Sequence, residues 1–585
     1  MKLLLANIML LILAPAASAQ YYIRGEVKDE KNEALQNVKI ILNSNHFLYY
    51  SGAGGGFGIA SPKLNDTLTF SLEGYEPKVI PIKADQWLQV NLHVLPSNAN
   101  RSRPRLISVT KDLKQTSKFR WFVNDETYFQ LVENEFVNAR QFPNTGFSLN
   151  INKAAYSNVR RFLNLNSTVP PDAVRTEELI NYFNLHYREP EKMDVFRIES
   201  QLSSCPWNPA KQLLYLNINA KKLDMSNIVP GNFVFLIDAS GSMDMPNKLP
   251  LLKAAFQLFV QNLRAVDTVS IVTYGGTIGI WLQPTSGAEK EKIIKSIEEL
   301  TASGDTNGGA AILTAYELAQ HTYIKGGNNR VILATDGDFN VGIVTEKALD
   351  DMISKAKQSG VYLTCLGVGT GNYKDSKLET LAKKGNGNYS YLDDIHEAEK
   401  VLVKELTQTF YSVADDVFMN LQFNPDKVKE YRLIGFDNKK DAVSDSTIEL
   451  EGGDMGSGNS ELAIFEIMPT SDTGGRSVTG ADMLAEISMR YRLHNDTTQK
   501  KLSYHCPANF IPFEQLDKEL QFAAAVAMFG LKVRQSKFID GTEWESLEAI
   551  AHSSYDPNSY LQTDFLQLVE KAKKIYCAKK KKKLN

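Results

Sequence analysis

The sequence predicts a multi-domain protein of the α/β plus β class. An N-terminal β-sandwich comes first, then a doubly wound, Rossmann-like domain, flanked by a discontinuous α+β domain with a β-sandwich part and C-terminal helices. Three observations predict this. Apolar residues alternate over 21–95, continuous apolar strands and amphipathic helices succeed one another over 231–406, and alternation returns after 407 before three final helices. The 585 residues are enough for about four domains of ~150 residues each.

The composition excludes several classes of protein. Hydrophobic residues make up 43% and charged residues 23%, which is an ordinary globular balance and excludes wholesale disorder. The formal net charge of −3 argues against a general nucleic-acid binder. Four cysteines cannot form a disulfide scaffold, although Cys205 and Cys506, each followed by proline in strand-like surroundings, could pair.

The first residues have the pattern of an export signal. Lys2 precedes an apolar run, Leu3–Ala14, and Ala17-Ser18-Ala19 supplies the small residues that signal peptidase requires, so cleavage is expected before Gln20. The run is too short for a membrane span of ~20 residues, and no second run reaches that length. We therefore expect residues 1–19 to be a signal peptide and the mature protein to be periplasmic, extracellular or associated with the cell surface of a bacterium.

Residues 20–96 are predicted to form a small β-sandwich. Three alternating runs mark strands between glycine-rich and Asn-Asp turns: Val38/Ile40/Leu42, Leu68/Phe70/Leu72 and Leu88/Val90/Leu92/Val94. With Gly25-Glu26-Val27, Gly56-Phe57-Gly58 and Gly74-Tyr75, this stretch resembles the carboxypeptidase regulatory-like domain, which implies a non-catalytic module. The polar and basic residues 97–128 that follow are interpreted as a linker.

Residues 229–407 are predicted to form the doubly wound domain. Its expected strands are Asn232–Ile237, Thr268–Tyr274, Ile278–Leu282, Val331–Ala334, 361–368 and 388–392. Its expected helices are Leu249–Leu263, Lys290–Leu300, Ala310–Ala319, 345–358, 376–384 and 395–406. Such a pattern predicts a parallel sheet covered on both faces, whose functional residues lie at the carboxyl ends of the strands.

The flanking residues 129–228 and 408–577 are predicted to pack together as one discontinuous domain, because the two ends of a domain are often adjacent. In the first segment, Pro170-Pro171-Asp172 is expected to begin a helix, and strands extend to about residue 220. The second alternates like a sheet and ends in helices near 516–534, 542–552 and 559–576. The basic tail 578–585, with Lys579–Lys583, is interpreted as a solvated terminus that could make weak contact with an anionic envelope surface.

Polar side chains follow three of the predicted elements in the doubly wound domain. Asp238, Ser240 and Ser242 form an Asp-x-Ser-x-Ser loop after the first strand, Thr306 precedes a helix, and Asp336 ends the strand Val331–Ala334. Two carboxylates and three hydroxyls at one rim form an all-oxygen set for a hard divalent cation. We therefore expect Mg²⁺ here, with Mn²⁺ or Ca²⁺ as alternatives.

All five positions match the metal-ion-dependent adhesion site of the von Willebrand factor type A domain, which this part of the chain resembles. The resemblance implies that Ser240, Ser242 and Thr306 contact the metal directly in some states, and that Asp238 and Asp336 do so directly or through water. It also implies that a protein partner completes the ion's coordination with an Asp or Glu side chain.

The flanking segments resemble one group of exported bacterial type A proteins. The matching stretches are Glu133–Phe136, Tyr156–Leu163, Glu177–Phe183, Cys205–Pro209, Asp336–Gly342, Tyr431–Gly435 and Phe522–Ala527. This chain departs from the group at Asn150 and Asn152, where Asp is usual, and at Asn459, where His is frequent. If those positions bind an ion or form a charge pair in relatives, that second feature is in doubt here.

The function that these observations favour is a metal-ion-dependent protein-interaction or adhesion module of the cell envelope, without enzymatic activity. A structural envelope protein with a stabilising metal is the alternative. A metal-dependent phosphatase is disfavoured: Asp336-Gly337-Asp338 and Asp393-Asp394 imitate its acidic loops, but a helix covers the segment where its phosphate-binding lysine would lie. No nucleophile elbow and no His-Glu-x-x-His motif occurs in the sequence.

Overall fold

The computed structural model describes the chain from residue 21 to residue 583, except for residues 31, 45, 53, 62, 73–74, 85, 94–125, 150–151, 225–227, 276–278, 305–307, 338–352, 354–359, 372, 437–452, 471–482, 494–495 and 497. The predicted signal peptide, most of the predicted linker, Thr306, Asn150 and all but one residue of the helix predicted at 345–358 lie outside the described residues. Helices among the described residues are all too short or too polar to cross a membrane.

The N-terminal part is the β-sandwich that the sequence predicts. Its strands are β1 Tyr21–Lys28, β2 Lys39–Leu42, β3 Phe47–Tyr50, β4 Gly56–Ser61, β5 Asn65–Ser71, β6 Lys78–Lys83 and β7 Trp87–Asn91. They form a three-stranded sheet, β4-β1-β7, and a four-stranded sheet, β3-β2-β5-β6. Alternate residues such as Ile40, Leu68 and Phe70 are fully buried between the sheets, because a strand directs every second side chain to one face.

The segment that follows supplies strands and two helices. They are β8 Val137–Asn138, β9 Asn144–Ser148, α1 Ala154–Asn164, α2 Thr176–Asn181, β10 Phe196–Ser204 and β11 Gln212–Ala220. The helix expected from Pro170 is instead a single 3₁₀ turn, Pro171–Ala173, followed by α2. The interruption falls at Val174 and Arg175, which are both buried and non-helical.

The central domain alternates strands and helices. Its strands are β12 Gly231–Asp238, β13 Thr268–Tyr274, β14 Gly279–Ser286, β15 Asn328–Thr335, β16 Val361–Val368 and β17 Tyr389–Leu392. Its helices are α3 Leu249–Gln261, α4 Lys290–Glu298, α5 Gly308–His321, α6 Asp375–Lys384, α7 Ile395–Glu399 and α8 Leu406–Phe410, with a π-helical turn, Lys400–Lys404, between the last two. The predicted helix 395–406 is therefore divided into three pieces.

The central sheet has the strand order β14-β13-β12-β15-β16-β17. Every residue of β12, β15 and β16 is buried, as the continuous apolar runs predict for strands covered on both faces. The edge strand β14 runs antiparallel to β13, whereas a parallel sheet was expected. Only four residues join the two strands, and so short a connection permits a hairpin but no crossover helix.

The C-terminal segment adds the remaining elements. They are β18 Ser412–Phe423, β19 Val428–Leu433, β20 Gly453–Gly456, β21 Ser460–Pro469, β22 Met483–Leu493, β23 Gln499–Pro507, β24 Phe510–Ile511, α9 Lys518–Val533, α10 Trp544–Ser554 and α11 Tyr560–Lys583. Strands from before and after the central domain share one sheet, β24-β10-β11-β21-β19-β8. A second sheet, β20-β18-β22-β23, takes in β9, which pairs with β18.

Buried ion pairs join the first flanking segment to the central domain. Arg160 of α1 donates to the two oxygens of Asp393 at 2.8 and 2.5 Å and to Glu397 at 2.8 Å. Arg175 donates to Asp375 at 2.7 Å. Removing one member of such a pair leaves a buried charge without compensation, so these contacts hold the domains in one relative orientation.

The last residues of the predicted linker belong to the folded body. Glu126 accepts hydrogen bonds from Arg161 at 2.7 Å and from the main chain of Gly371 at 3.0 Å. Thr127 forms a parallel bridge with Lys374. The segment therefore contacts the loop that follows β16, at the carboxyl edge of the central sheet.

All four cysteines lie in the described part of the chain and are free. Cys205 packs in the core between the flanking sheet and its helices, and Cys506 packs in the core between the two flanking sheets. The pairing of Cys205 with Cys506, which the sequence left open, is therefore absent from this structure, because the two thiols lie on different faces of the flanking sheet.

Candidate metal centre

The candidate site lies where β12 and β15 end, at the carboxyl edge of the central sheet. Neighbouring main chains hold its first loop in place. The Ala239 amide donates to Tyr274 at 2.6 Å and its carbonyl accepts from Ser303 at 2.7 Å, while the Gly241 amide donates to Gly304 at 2.9 Å. The loop that carries the serines is thus anchored to the loop that contains Gly304, two residues before Thr306.

The structure brings four of the five predicted site residues together. The Ser240 amide donates to Asp238 Oδ1 at 2.9 Å. The hydroxyl oxygens of Ser240 and Ser242 lie 3.2 Å apart, and the Ser242 hydroxyl donates to Asp336 Oδ2 at 2.9 Å. Thr306, the fifth, lies outside the described residues. Oxygen atoms from the first and third loops therefore form one continuous cluster.

The two carboxylates of the cluster are buried and electrostatically coupled. Asp238 is 0% and Asp336 is 1% exposed. Burial, together with the nearby negative charge of Asp336, raises the pKa of Asp238 to about 6, against the opposing effect of its hydrogen bonds from Ser240 and Thr335. A cation between these carboxylates would offset that burial, so the donor set fits a hard divalent ion.

Two residues of the site do not belong to the predicted set. The Thr335 hydroxyl donates to Asp238 Oδ2 at 2.8 Å. The Lys248 ammonium donates to Asp336 Oδ2 at 2.8 Å, and the lysine is only 5% exposed. A signal for Lys248 was present in the sequence, because a cation at the N-terminus of a helix is electrostatically unfavourable and α3 begins at the next residue.

The backbone of a neighbouring loop makes room for Lys248. A Cβ atom on Gly369 would lie 2.5 Å from the lysine Cε, and the glycine has φ = +81°, in the left-handed region that favours glycine. The aliphatic part of Lys248 thus packs on Gly369, and its ammonium group reaches Asp336. Within the described part of the chain, the cluster accordingly combines the carboxylates of Asp238 and Asp336 with the ammonium group of Lys248.

Two of the three departures from the group pattern meet at a different place. Asn152 and Asn459 line the same small cavity, about 30 Å³ in volume, between the central and flanking domains. Lys153 also lines it and donates to Glu405 at 3.0 Å. The Asn152 side chain accepts a hydrogen bond from the Tyr389 amide at 3.0 Å. Here Asn152 has a structural role that a neutral side chain fulfils.

The acidic pair that imitates a phosphatase has other partners. Asp393 binds Arg160, and Asp394 caps α7 by accepting a hydrogen bond from the Glu397 amide at 2.9 Å. Asp338 lies outside the described residues. Neither Asp393 nor Asp394 contributes a hydrogen bond to the cluster around Asp336 among the described residues.

Family models match most of the chain. Residues 23–103 match the CarboxypepD_reg-like domain, and residues 232–405 match the von Willebrand factor type A domain. Residues 122–215 match a family described as von Willebrand factor. Residues 408–575 match one described as "Uncharacterized protein YfbK, C-terminal".

Similar proteins match either most of the chain or about a third of it. The protein YfbK of Escherichia coli (strain K12) is 36% identical over 468 residues, which cover 76% of this chain and 80% of YfbK. The human inter-alpha-trypsin inhibitor heavy chain H2 is 26% identical over 204 residues, 34% of this chain and 21% of that protein. This chain therefore spans about a fifth of the length of the heavy chain.

Among solved structures, the von Willebrand factor type A protein from Catenulispora acidiphila is 15% identical, with a TM-score of 0.37, covering 63% of this chain and 88% of that chain. BatB from Bacteroides thetaiotaomicron is 20% identical, with a TM-score of 0.26, covering 30% of this chain and 97% of that chain.

Proposed function

The chain belongs to the family of the Escherichia coli protein YfbK, and from this premise we propose that it is a protein-interaction module of the bacterial cell envelope. Its von Willebrand factor type A domain would bind a protein partner at the carboxyl edge of the central sheet. A divalent cation of the Mg²⁺ type, with Mn²⁺ or Ca²⁺ as alternatives, would take part in that contact.

One observation carries the proposal: the buried carboxylates of Asp238 and Asp336 share a single cluster with the hydroxyls of Ser240 and Ser242. Buried acids are costly unless a cation or hydrogen bonds compensate them. Among the described residues, the Lys248 ammonium group pairs with Asp336, and a divalent ion would add positive charge beside Asp238 as well.

The residues that would hold the ion are Asp238, Ser240, Ser242, Thr306 and Asp336. When bound, the ion would supply Lewis acidity and a free coordination position for an acidic side chain of the partner. The protein's own contribution is to keep two carboxylates and the hydroxyls close together by means of the hydrogen bonds that anchor the first loop.

Exposed groups beside the cluster favour contact with a large partner. Ser242 is exposed although its hydroxyl bonds to the buried Asp336. Met245, three residues further on, is 58% exposed. An exposed methionine next to the cluster suits a protein interface, because methionine is enriched there relative to the rest of the protein surface.

Titration with magnesium tests the metal. Calorimetry on the chelator-treated wild type is expected to show one binding site, and Asp238→Ala is expected to abolish it. Asp244→Asn, which removes an exposed carboxylate from the same loop, serves as the control and is expected to bind like the wild type. Equal binding by the wild type and Asp238→Ala would refute the metal site.

Capture of partners from an envelope extract tests the interaction. We expect the immobilised wild type to retain a protein in the presence of magnesium and to release it on addition of chelator, and Asp238→Ala to retain none. Capture that is insensitive to chelator would contradict the metal-bridged model. A metal that raises the melting temperature without affecting capture would favour the alternative of a structural envelope protein.

The pattern of residues 1–19 supports export of the mature chain. N-terminal sequencing of the protein from fractionated cells is expected to begin at Gln20 and to find the protein outside the cytoplasm. An N-terminus that retains Lys2, in the cytoplasmic fraction, would contradict this part of the proposal.

A further inference from the structure

A second group of potential metal ligands lies in the flanking domain. None of its residues belongs to the central domain, which carries the candidate site described above. His186, in the loop between α2 and β10, faces two acids at the start of α9. Its Nδ1 atom is 3.9 Å from Asp517 Oδ1 and 3.8 Å from Glu519 Oε2. One ligand atom from each of the three residues lies within 4.8 Å of the other two.

Hydrogen bonds fix the main chain of His186, and a third acid lies near its ring. The His186 amide donates to Glu519 Oε2 at 2.9 Å, and its carbonyl accepts from Asn217 at 2.6 Å. On the other side of the ring, Nε2 lies 3.7 Å from Glu199 Oε2. Ring orientation by a carboxylate on the far nitrogen is the usual arrangement around metal-bound histidines.

Two acids at a helix N-terminus have an ordinary explanation, because Asp517 caps α9 by accepting from the Glu519 amide at 2.8 Å and both carboxylates favour the helix dipole. That explanation does not account for the buried polar atoms around them. His186 Nδ1, Glu199 Oε2 and the Tyr215 hydroxyl are all buried without a hydrogen-bond partner among the described residues.

A cleft connects these atoms. His186, Glu199, Asp517 and Tyr215 line a space of about 270 Å³, and Tyr215 is only 1% exposed. An unpartnered buried hydroxyl is unfavourable unless water or a ligand satisfies it. The cleft is therefore a place where a bound group would satisfy atoms that the protein itself leaves without partners.

We propose that His186, Asp517 and Glu519 bind a divalent transition-metal ion of the Zn²⁺ class, with Glu199 as the residue that orients the histidine ring. An imidazole nitrogen and two carboxylate oxygens suit Zn²⁺, whose tetrahedral ligand atoms stand about 3.4 Å apart for bonds of about 2.0–2.2 Å. The two separations from the imidazole nitrogen, 3.8 and 3.9 Å, need a contraction of about half an ångström, and the two carboxylate oxygens start within 4.8 Å of each other.

Charge in the cluster also favours a cation. Arg197 pairs with Glu199 at 2.6 Å, and Arg188 lies 3.6 Å from Asp517 Oδ2. With Glu519 as the third acid, three carboxylates face two guanidinium groups. Three protein ligands leave a fourth position on the ion, on the side of the cleft, for water or a small anionic ligand.

The test uses the full mature chain after a chelator has removed its metal. Zinc chloride is then titrated into the protein in the presence of excess magnesium. We expect one zinc site that magnesium does not displace. Glu519→Gln and Asp517→Asn keep oxygen acceptors for the His186 amide and the helix cap but lose a charged ligand, and each is expected to weaken zinc binding at least tenfold, as is His186→Ala. Glu199→Gln, which changes only the orienting residue, is expected to weaken it about tenfold or more.

His552→Ala, which removes an exposed histidine from α10, is the matched control and is expected to bind zinc like the wild type. Circular dichroism of each variant checks that it folds, so that the two conservative acid variants remain informative if His186→Ala does not fold. Undiminished zinc binding in folded His186→Ala or in both acid variants would overturn the proposal, as would absence of zinc binding by the wild type. Asp238→Ala is expected to keep this site, so the result is independent of the proposed magnesium site.

Discussion

The ammonium group of Lys248 lies where a cation is needed at the carboxyl edge of the central sheet. It donates to Asp336 Oδ2 at 2.8 Å and is buried over Gly369. A divalent ion beside Asp336 would meet this positive charge at short range, where repulsion is only partly screened. Lys248 therefore compensates the charge of Asp336 when no metal is bound. The same ammonium group would oppose the binding of a metal ion at this position.

Replacing Lys248 by methionine is expected to strengthen magnesium binding about tenfold, which corresponds to about 1.4 kcal/mol. Methionine keeps an apolar stem over Gly369 and removes the charge. Calorimetric titration measures the change. Lys253→Met is the control on the same helix, because Lys253 donates to the carbonyls of Glu298 and Leu300 and not to the cluster. Weaker magnesium binding in Lys248→Met would mean that the lysine orients Asp336 instead of competing with the ion.

Local sequence predicts the site residues that directly follow a buried strand, which include Asp336 after β15. Asp238, Ser240 and Ser242 occupy a single loop after an apolar strand, so their proximity follows from the strand alone. The contact of Lys248 with Asp336 depends on the path of the loop that contains Gly369. His186 and Glu519 are 333 residues apart, and no local pattern connects them. Their proximity depends on the pairing of the two flanking segments.

At the scale of elements, a buried acid joins the central and flanking domains and predicts a pH dependence. Glu405, next to α8, lies 3.0 Å from the ammonium groups of both Lys153 and Lys400. Burial acts to raise the pKa of the Glu405 carboxyl, but the two ammonium groups outweigh it, so the pKa lies below its usual range. The usual pKa of such an acid in the unfolded chain is about 4.3. Because its pKa is lower in the folded protein, the ionised acid stabilises the fold at pH values above about 4.3. This stabilisation is lost as the pH falls through the folded pKa.

Glu405→Gln is therefore expected to lower the free energy of unfolding by about 2–4 kcal/mol at neutral pH, since it leaves two buried ammonium groups without a counter-charge. The difference from the wild type is expected to shrink as the pH falls below the unfolded pKa of about 4.3 and to be lost as it passes the lowered folded pKa, where the wild-type acid also becomes neutral. Denaturant unfolding across this pH range measures it. Glu399→Gln, whose acid is 39% exposed and pairs with Lys404 at 3.2 Å, is expected to change stability by less than about 1 kcal/mol. A difference that stays constant with pH would assign Glu405 a packing role.

The apolar pattern predicts elements well where both faces of a strand are covered. Strands β13 and β16 have the predicted bounds, and each is followed directly by a glycine, Gly275 or Gly369. The antiparallel direction of β14 depends on the short connection before it. The 3₁₀ turn at Pro171 is separated from α2 by Arg175, which has an extended backbone and forms a buried pair with Asp375. Tertiary contacts of this kind leave no periodic signal.

At the scale of the whole molecule, the central domain contacts both the flanking domain and the N-terminal sandwich. The flanking segments meet in a common sheet around the central domain, and the N-terminal sandwich packs on its β14 edge. The apolar cores of the sandwich and of one face of the central sheet are continuous, and the Phe47 ring contacts that of His321 at 5.6 Å between centroids. Docked in this way, the sandwich is expected to unfold together with the central domain.

The close approach of the backbones of β14 and β4 is expected to control that coupling. A Cβ atom at Gly279 of β14 would lie 2.3 Å from the carbonyl oxygen of Gly58 in β4, so no larger residue fits without separating the two strands. We expect Gly279→Ala to cost about 1–3 kcal/mol and to divide the calorimetric transition of the wild type into two, with the sandwich unfolding first. Gly54→Ala is the control, because a Cβ there meets no atom within 4 Å. A single, unshifted transition in Gly279→Ala would show that the sandwich is held by its aromatic and apolar contacts and not by this backbone approach.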